Sequence, residues 1–194
     1  MSEAYIKIDN QRTQATIQTG NATFLLADIQ SPINIGQILR TCQAYRHPLV
    51  YVYDPRRVFE GHPKEVHDFS CGAIDRLKLE RVNDLSDFLD SYPGRKIATY
   101  LHKDSIPLGQ FEFQQHDLIL FGNEYTGLDE RIVNLCNEQL VINLPSGQMP
   151  KSPSNSPIDS GVSFIKSEGT PCLNVAASAA IIAYQLYDGA CCRI

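Results

Sequence analysis

The sequence predicts an α/β protein built on a mostly parallel sheet, because short apolar runs alternate along the chain with segments of helical spacing. Apolar runs occur at residues 23–28, 49–53 and 118–121, and each is too short to form a helix. These runs are continuous in hydrophobicity, which suits strands buried on both faces of a sheet. Alternating strands and helices are typical of right-handed βαβ units with helices on both faces.

The composition indicates one ordinary globular domain. The chain has 194 residues, of which 43% are hydrophobic and 20% are charged. Its formal net charge of −5 argues mildly against a general nucleic-acid binder, since non-specific affinity comes mainly from Lys and Arg. The basic residues are nevertheless concentrated in the first half, where they could share one face.

The cysteines and histidines predict no metal site. The six cysteines contain no Cys-x-x-Cys pair, and the five histidines have no zinc-ligand spacing with them. Reduced thiols are therefore expected. Residues 1–9 lack a basic segment followed by an apolar one, and no apolar run approaches a membrane span, so we predict a cytoplasmic protein without a membrane segment.

The first half of the chain opens with a polar segment, residues 1–22, that we interpret as an arm or a short edge strand. After the first strand, apolar side chains recur at helical spacing from Ile35 to Tyr45, and Ser31 or Asn34 can cap the start of that helix. This spacing places Arg40 on a different face from the apolar stripe. A strand at 49–53 follows, and then a less regular region at 54–67.

The remaining elements continue the alternation. A short helix is expected before Gly72. The strands and helices expected after it are a strand at 77–82, a helix at 85–89, a strand at 96–101, the strand at 118–121, a helix at 130–136 and a strand at 139–144. The closing segment, 172–186, is rich in alanine and apolar nearly all round. Such a helix must be buried, and a second subunit is one candidate to cover it.

A glycine-bracketed loop follows the strand at 118–121. Asn123 and Glu124 lie between Gly122 and Gly127, at the carboxyl end of the strand, where open α/β sheets place ligands. The alternative is a plain strand-to-helix turn in which Asp129 caps the next helix and Glu124 is a solvated charge.

Residues 145–171 interrupt the alternation. Five prolines punctuate a run rich in Ser, Gly and Lys. Loops of this length inside compact domains are usually functional or disordered. We therefore predict a single domain at 23–194 with a long insertion at about 146–171, which is a candidate lid over a ligand.

Three separated motifs carry a family resemblance. They are Asn-Ile-Gly-Gln-Ile-Leu-Arg-Thr at 34–41, Phe-Gly-Asn-Glu-Tyr-Thr-Gly-Leu at 121–128, and Leu-Asn-Val-Ala-Ala-Ser-Ala-Ala-Ile at 173–181. In this order they resemble the three motifs of the SpoU (TrmH) family of RNA 2′-O-ribose methyltransferases, in the SPOUT superfamily. Phe-Ser-Cys-Gly-Ala at 69–73 is similar to the segment that lies between the first two motifs.

The resemblance implies a Rossmann-like sheet whose C-terminal part forms a deep trefoil knot. The knot loops would hold S-adenosylmethionine (SAM), with the adenine recognised largely by main-chain groups. The positions that match the family's cofactor contacts are Leu101, Phe121, Gly122, Asn123, Leu144, Cys172, Leu173 and Asn174.

The resemblance also implies the chemistry, which is methyl transfer to a ribose 2′-hydroxyl of tRNA or rRNA by a homodimer. Arg40 matches the catalytic arginine, and Asn34 and Glu124 would fix Arg40 or the loops around it by hydrogen bonds and a charge pair. A guanidinium is a poor base, so orientation and charge stabilisation are its expected roles. The alternative for Arg40 is a surface salt bridge.

Two departures from the family pattern support a different function class. Cys172 stands where the last motif usually begins with serine, and the 146–171 insertion is roughly twenty residues longer than the usual connection. Besides a lid, the alternatives for the insertion are an RNA-contacting loop and a disordered insert that weakens binding. The alternative is a weak or inactive knotted dimer that binds RNA or cofactor. A dinucleotide enzyme is disfavoured because no Gly-x-Gly-x-x-Gly follows the first strand. The motifs do not specify which RNA or nucleotide is methylated.

Overall fold

A computed structural model describes residues 22–144 and 173–191, with side chains as far as residue 188. Residues 1–21 of the predicted arm, the 146–171 insertion and Cys172 lie outside the described residues. The expectations for a lid and for the Cys172 thiol therefore stay predictions, as does the division into an arm and a single domain.

The described residues form a seven-stranded sheet in which every neighbouring pair is parallel. Its strand order is β3-β2-β1-β6-β4-β7-β5. The strands are β1 (Thr23–Ala27), β2 (Leu49–Tyr53), β3 (Lys78–Arg81), β4 (Lys96–Thr99), β5 (Ile106–Pro107), β6 (Leu118–Phe121) and β7 (Glu138–Val141). The predicted parallel α/β sheet is confirmed. The predicted knot depends on residues 145–172, which the described ranges do not include.

Helices cover both faces of the sheet. They are α1 (Pro32–Ala44), α2 (Val58–Gly61), α3 (Pro63–Ser70), α4 (Leu85–Ser91), α5 (Glu130–Val133) and α6 (Val175–Cys191). Alternate residues of β1 serve the two layers: Phe24 and Leu26 pack with α1 and α6, whereas Leu25 and Ala27 pack with α4 and α5. All four residues of β6 are buried. The continuous apolar runs therefore mark strands covered on both faces.

Helix α1 begins three residues earlier than the sequence predicted. Pro32 occupies its first turn, where a missing N–H costs nothing, and the Ser31 hydroxyl accepts a bond of 3.4 Å from the Asn34 N–H. Ser31 is therefore the cap, and the alternative that Asn34 caps the helix is wrong. The Asn34 side chain is buried and bonded elsewhere.

The region at 54–67 is more ordered than the sequence indicated, because it contains α2 and the start of α3. The Asp54 carboxylate accepts bonds from the Val58 and Phe59 N–H groups at 2.9 and 3.1 Å, which fixes the first turn of α2. Pro63 then starts α3. The helical pattern was missed because a four-residue helix shows no periodicity.

Two predicted strands end early, and the residues released from them lie near the carboxyl edge of the sheet. Strand β4 ends at Thr99 and β7 at Val141, so 100–101 and 142–144 leave the sheet. Helix α5 likewise ends at Val133. The two-residue strand β5 was not predicted, because so short a run carries no pattern.

Helix α1 packs closely on α3 at a glycine. A Cβ atom on Gly36 would lie 2.6 Å from the Phe69 Cβ and 2.9 Å from the Ser70 backbone nitrogen. Real Cβ contacts are not this short, so a larger residue would push the two helices apart. This contact gives a structural reason for the similarity at 69–73, because Phe69 and Ser70 pack directly against the helix that carries the first motif.

Helix α6 buries one face and exposes apolar side chains on another. Its buried residues are Ala176, Ala179, Ile182, Ala183 and Leu186. Ile181 is 39% exposed and Tyr184 is 54% exposed. Within 22–144 and 173–191, no helix combines the length and the hydropathy that crossing a membrane requires.

Candidate active site

A cavity of about 560 Å³ opens at the carboxyl ends of β4, β6 and β7 and is closed on one side by the start of α6. This volume is in the range of small-molecule sites, and the position is where open α/β sheets bind ligands. The predicted cofactor residues that line it are Leu101, Phe121, Gly122, Asn123, Leu144, Leu173 and Asn174. The structure thus brings together all of that set except Cys172, which is outside the described ranges.

The loop after β6 is held by the side chain of Asn123. Its Oδ1 accepts bonds from the N–H groups of Tyr125 and Thr126 at 3.0 and 2.9 Å, and its carbonyl accepts from Gly127 N–H at 3.0 Å. Gly127 has φ +69°, which favours glycine. Hydrogen bonds to the side chain and the carbonyl of Asn123, together with one left-handed glycine, therefore fix the loop.

Gly122 allows the two ends of this loop to meet. A Cβ atom at this position would collide with the backbone of Gly127 and Leu128. The cavity wall at this point is therefore backbone alone, which suits a ligand recognised by main-chain groups.

Glu124 is bonded to the start of α1 and is not the solvated charge of the alternative interpretation. Its carboxylate accepts bonds from the backbone N–H of Gln30 at 2.9 Å and of Ser31 at 3.0 Å, and from Asn34 Nδ2 at 2.7 Å. The carboxylate also lies at a helix N-terminus, where negative charge is favoured. The Asp129 part of that alternative is correct, since its side chain accepts a bond from Arg131 N–H at the start of α5.

These hydrogen bonds control the ionisation of Glu124. Burial alone would raise the pKa of the carboxyl, but the bonds from Asn34, Gln30 and Ser31 outweigh that effect and hold the pKa below its ordinary value. Glu124 is therefore a carboxylate at neutral pH. It acts as a hydrogen-bond acceptor and does not fit the role of a general acid.

Asn34 connects Glu124 to the last motif. While its Nδ2 donates to Glu124, its Oδ1 accepts a bond of 3.0 Å from Asn174 Nδ2. Asn174 Oδ1 in turn accepts from the Ala176 N–H at 2.8 Å, at the first turn of α6. We call Glu124, Asn34 and Asn174 the junction, because one residue from each motif joins a continuous chain of hydrogen bonds.

Arg40 lies on the same helix as Asn34 but belongs to no such network. Its side chain is exposed, and no other residue in the described part of the chain forms a hydrogen bond or an ion pair with it. Arg40 is six positions after Asn34, which corresponds to about 9 Å along the helix axis. Of the two alternatives stated for Glu124, hydrogen bonds to the loop at 30–31 are present, and a charge pair with Arg40 is absent among the described residues. The surface salt bridge is likewise absent among the described residues.

Some residues at the cavity were not singled out from the sequence. They are Thr99, Tyr100, Tyr125, Ser178 and Ile182, all of which line it. Thr99 and Tyr100 were recognisable in principle, because they follow the carboxyl end of β4. Ser178 lies one helical turn after Asn174, so its position follows from helix spacing.

Comparisons with known proteins agree with this architecture. The family model of the SpoU rRNA methylase family matches residues 21–150 of the chain. A curated relative, the tRNA (guanosine(18)-2′-O)-methyltransferase of Aquifex aeolicus, is 24% identical over 119 residues. The match covers 59% of this chain and 54% of that protein, so the chain spans about half the length of this relative.

Solved structures share the fold at low sequence identity. One, solved in work on 2-OH methylation of C/U34 on tRNA, has a TM-score of 0.68 at 20% identity and covers 87% of this chain and 95% of that one. Another is the SpoU methyltransferase AviRb from Streptomyces viridochromogenes in complex with AdoMet. Its TM-score is 0.63 at 24% identity, with 88% of this chain and 58% of that one covered.

The family match includes the first two motifs and all seven strands of the described sheet, and the third motif completes the junction. Since the match extends over well over half of the sequence, this chain belongs to the SpoU rRNA methylase family.

Proposed function

We propose that this protein transfers a methyl group from SAM to a ribose 2′-hydroxyl of tRNA or rRNA. The observation that carries the proposal is the cavity at the carboxyl ends of β4, β6 and β7, with an exposed arginine on the helix that the junction ties to its wall. The curated relative is named for the same reaction on guanosine 18 of tRNA, and the AviRb structure contains AdoMet. The predicted cytoplasmic location is part of this proposal.

The cavity fits SAM in size and in the kind of surface it offers. Leu101, Phe121 and Leu144 supply apolar side chains, while Gly122 leaves bare backbone between them. Asn174 would support SAM binding by fixing the start of α6, where its Oδ1 accepts a hydrogen bond from the Ala176 N–H. When bound, SAM supplies an electrophilic methyl group.

Arg40 is the residue best suited to bind the RNA next to the reacting hydroxyl. Its guanidinium is permanently protonated, so it does not accept the hydroxyl proton. We assign it the roles of orienting the ribose or its adjacent phosphate and stabilising negative charge. Water or a phosphate oxygen is the proton acceptor. Asn34 and Glu124 act through the helix, because they fix the start of α1 and leave Arg40 to contact the substrate.

The exposed apolar face of α6 supports a homodimer. Ile181 and Tyr184 lie one turn apart on it, and an interface made of the same face on both copies would have two-fold symmetry. We expect sedimentation at micromolar concentration to show a species near twice the chain mass of 21.7 kDa. The double variant Ile181→Glu/Tyr184→Glu should be monomeric, whereas Asp90→Arg, on α4 across the sheet, should remain dimeric.

Two measurements test the proposed function. Calorimetric titration with SAM should show binding, and label from methyl-labelled SAM should enter total RNA taken from cells that lack this protein. Binding of SAM without methyl transfer to any RNA would support the alternative of a binding protein. Absence of binding at millimolar SAM would support an inactive scaffold, and either result would overturn the proposal.

A further inference from the structure

Tyr125 is the most exposed large apolar side chain in the described part of the chain. Its side chain is 70% exposed, compared with 54% for Tyr184 on α6. A single exposed apolar side chain is ordinary in itself, but an aromatic ring exposed in the wall of a cavity is available to stack on a ligand. No aromatic stacking contact within the described residues involves Tyr125.

The exposure of Tyr125 occurs on a fixed backbone. Its N–H donates to Asn123 Oδ1 at 3.0 Å, and the next residue, Thr126, donates to the same oxygen at 2.9 Å. The loop closes through the Gly127 N–H to the Asn123 carbonyl. Only the two side-chain torsions of the tyrosine remain to be ordered when a ligand binds, so little entropy is lost.

The ring is also at the place where the substrate would enter. Tyr125 lines the cavity, and it follows Glu124, whose carboxylate holds the start of the helix that bears Arg40. A ribose whose 2′-hydroxyl reaches the cavity carries its base on the neighbouring carbon of the sugar. That base must leave the helical stack or come from a single-stranded loop, and single-stranded bases are commonly stacked on aromatic side chains.

We propose that Tyr125 is a substrate-positioning residue that stacks on a nucleobase of the RNA, either the base of the methylated nucleotide or its neighbour. This inference rests on the proposed function. The face of the ring supplies affinity for any base, since every base has a π-face, and Arg40 supplies the contact to ribose or phosphate. Tyr125 also lines the SAM cavity, so its removal should weaken RNA binding more than SAM binding.

The first test separates stacking from a structural role by kinetics. Tyr125→Ala should raise KM for the RNA about tenfold, with a smaller change in SAM affinity and an unchanged unfolding midpoint. Tyr125→Phe should retain most of the wild-type KM because it keeps the ring, whereas Tyr125→Leu, apolar but not aromatic, should behave like Tyr125→Ala. Equal KM values in all four proteins would overturn the proposal, as would full rescue by leucine.

The second test uses the absence of tryptophan from the sequence. Tyr125→Trp makes a single fluorescent reporter, and stacking on a base should quench it when total RNA is added. Phe113→Trp is the matched control, because Phe113 packs on Phe111 beside the Arg95 guanidinium, at the amino end of β6. Its emission should not change. Inorganic polyphosphate, which carries charge without bases, should leave the Tyr125→Trp emission unchanged, and equal quenching by both polyanions would contradict stacking.

The two tests distinguish failure of this inference from failure of the proposed function. If wild-type protein methylates RNA but neither KM nor fluorescence responds at residue 125, the inference is wrong and the function stands. If methyl transfer is absent while RNA quenches the Tyr125→Trp reporter, the function is wrong and the stacking contact stands. An absence of both responses overturns both.

Discussion

The polar and aromatic residues of the motifs divide into two groups that differ in what they contact. In the junction, Glu124, Asn34 and Asn174 bond to one another and to backbone N–H groups at both helix starts. At the rim, by which we mean Arg40 and Tyr125, the side chains are exposed. The two groups are neighbours in sequence, since Tyr125 follows Glu124 directly.

This difference indicates that the junction residues hold the structure and the rim residues contact the substrate. A carboxylate that already accepts three hydrogen bonds from the protein has little remaining capacity for a substrate. An exposed arginine without an ion pair within the described ranges retains all of its donors. Junction variants should therefore change stability together with activity, and rim variants should change activity alone.

The largest expected effect is at the rim. Arg40→Ala should lower the rate of methyl transfer about 10²- to 10³-fold, because a preorganised charge at the reacting group is lost. SAM affinity by calorimetry should stay within a few fold, and the urea midpoint should not move. Arg76→Ala, another exposed arginine from the first half of the chain, is the control. A fall in stability of Arg40→Ala would contradict the division between junction and rim.

Glu124→Ala should have the next largest effect, this time on folding. The substitution leaves the donors at Gln30, Ser31 and Asn34 without their acceptor, which should lower the free energy of unfolding by about 1–3 kcal/mol. Methyl transfer should fall as well, because the start of α1 is no longer held. Glu112→Ala removes an exposed carboxylate and should leave urea denaturation unchanged. Wild-type stability in Glu124→Ala would show that the junction does not hold the helix.

A smaller effect is expected at the α6 end of the junction. Asn174→Ala loses the acceptor for Ala176 N–H and should cost about 1 kcal/mol of stability. Asn174→Asp keeps that acceptor but loses the donor to Asn34, so its stability should lie closer to wild type while its SAM affinity falls. Thermal unfolding and calorimetry measure the two quantities. Identical stabilities of the two variants would show that Asn174 Oδ1 does not stabilise the start of α6.

The smallest expected effect is a loss of the stability contributed by Glu124, which should appear only at acidic pH. The folded pKa of Glu124 is held below its ordinary value, so the ionised group stabilises the fold above the unfolded pKa of about 4.3, and this contribution disappears as the pH falls through the lower folded value. The stability difference between wild type and Glu124→Gln should therefore shrink as urea unfolding is repeated from pH 7 toward pH 3. A difference that does not vary with pH would show that the hydrogen bonds do not depend on the charge.

Sequence reasoning predicted most of the sheet because its strands carry strong patterns. The run at 118–121 is apolar throughout, and the structure buries it on both faces. The short helix expected before Gly72 is present as α3, whereas the four-residue helix α2 was missed because so short a helix shows no periodicity. The two-residue strand β5 was also missed, because its pairing with β7 depends on contacts distant in sequence. The early ends of β4 and β7 were missed for the same reason.

At the site, the motifs determined which residues meet, and only the tertiary structure decided what each one contacts. The resemblance of the three motifs to one family implied that Asn34, Glu124 and Asn174 serve one site, and the position of Glu124 after a parallel strand agreed with a ligand site at that edge of the sheet. It left open whether Glu124 contacts Arg40 or the loops around it. Two backbone N–H groups and one amide lie closer to that carboxylate than the guanidinium does, and hydrogen bonds form between groups that the fold brings within about 3 Å. The exposure of Tyr125 was likewise decided in three dimensions, because burial depends on what packs against a residue and not on its own chemistry.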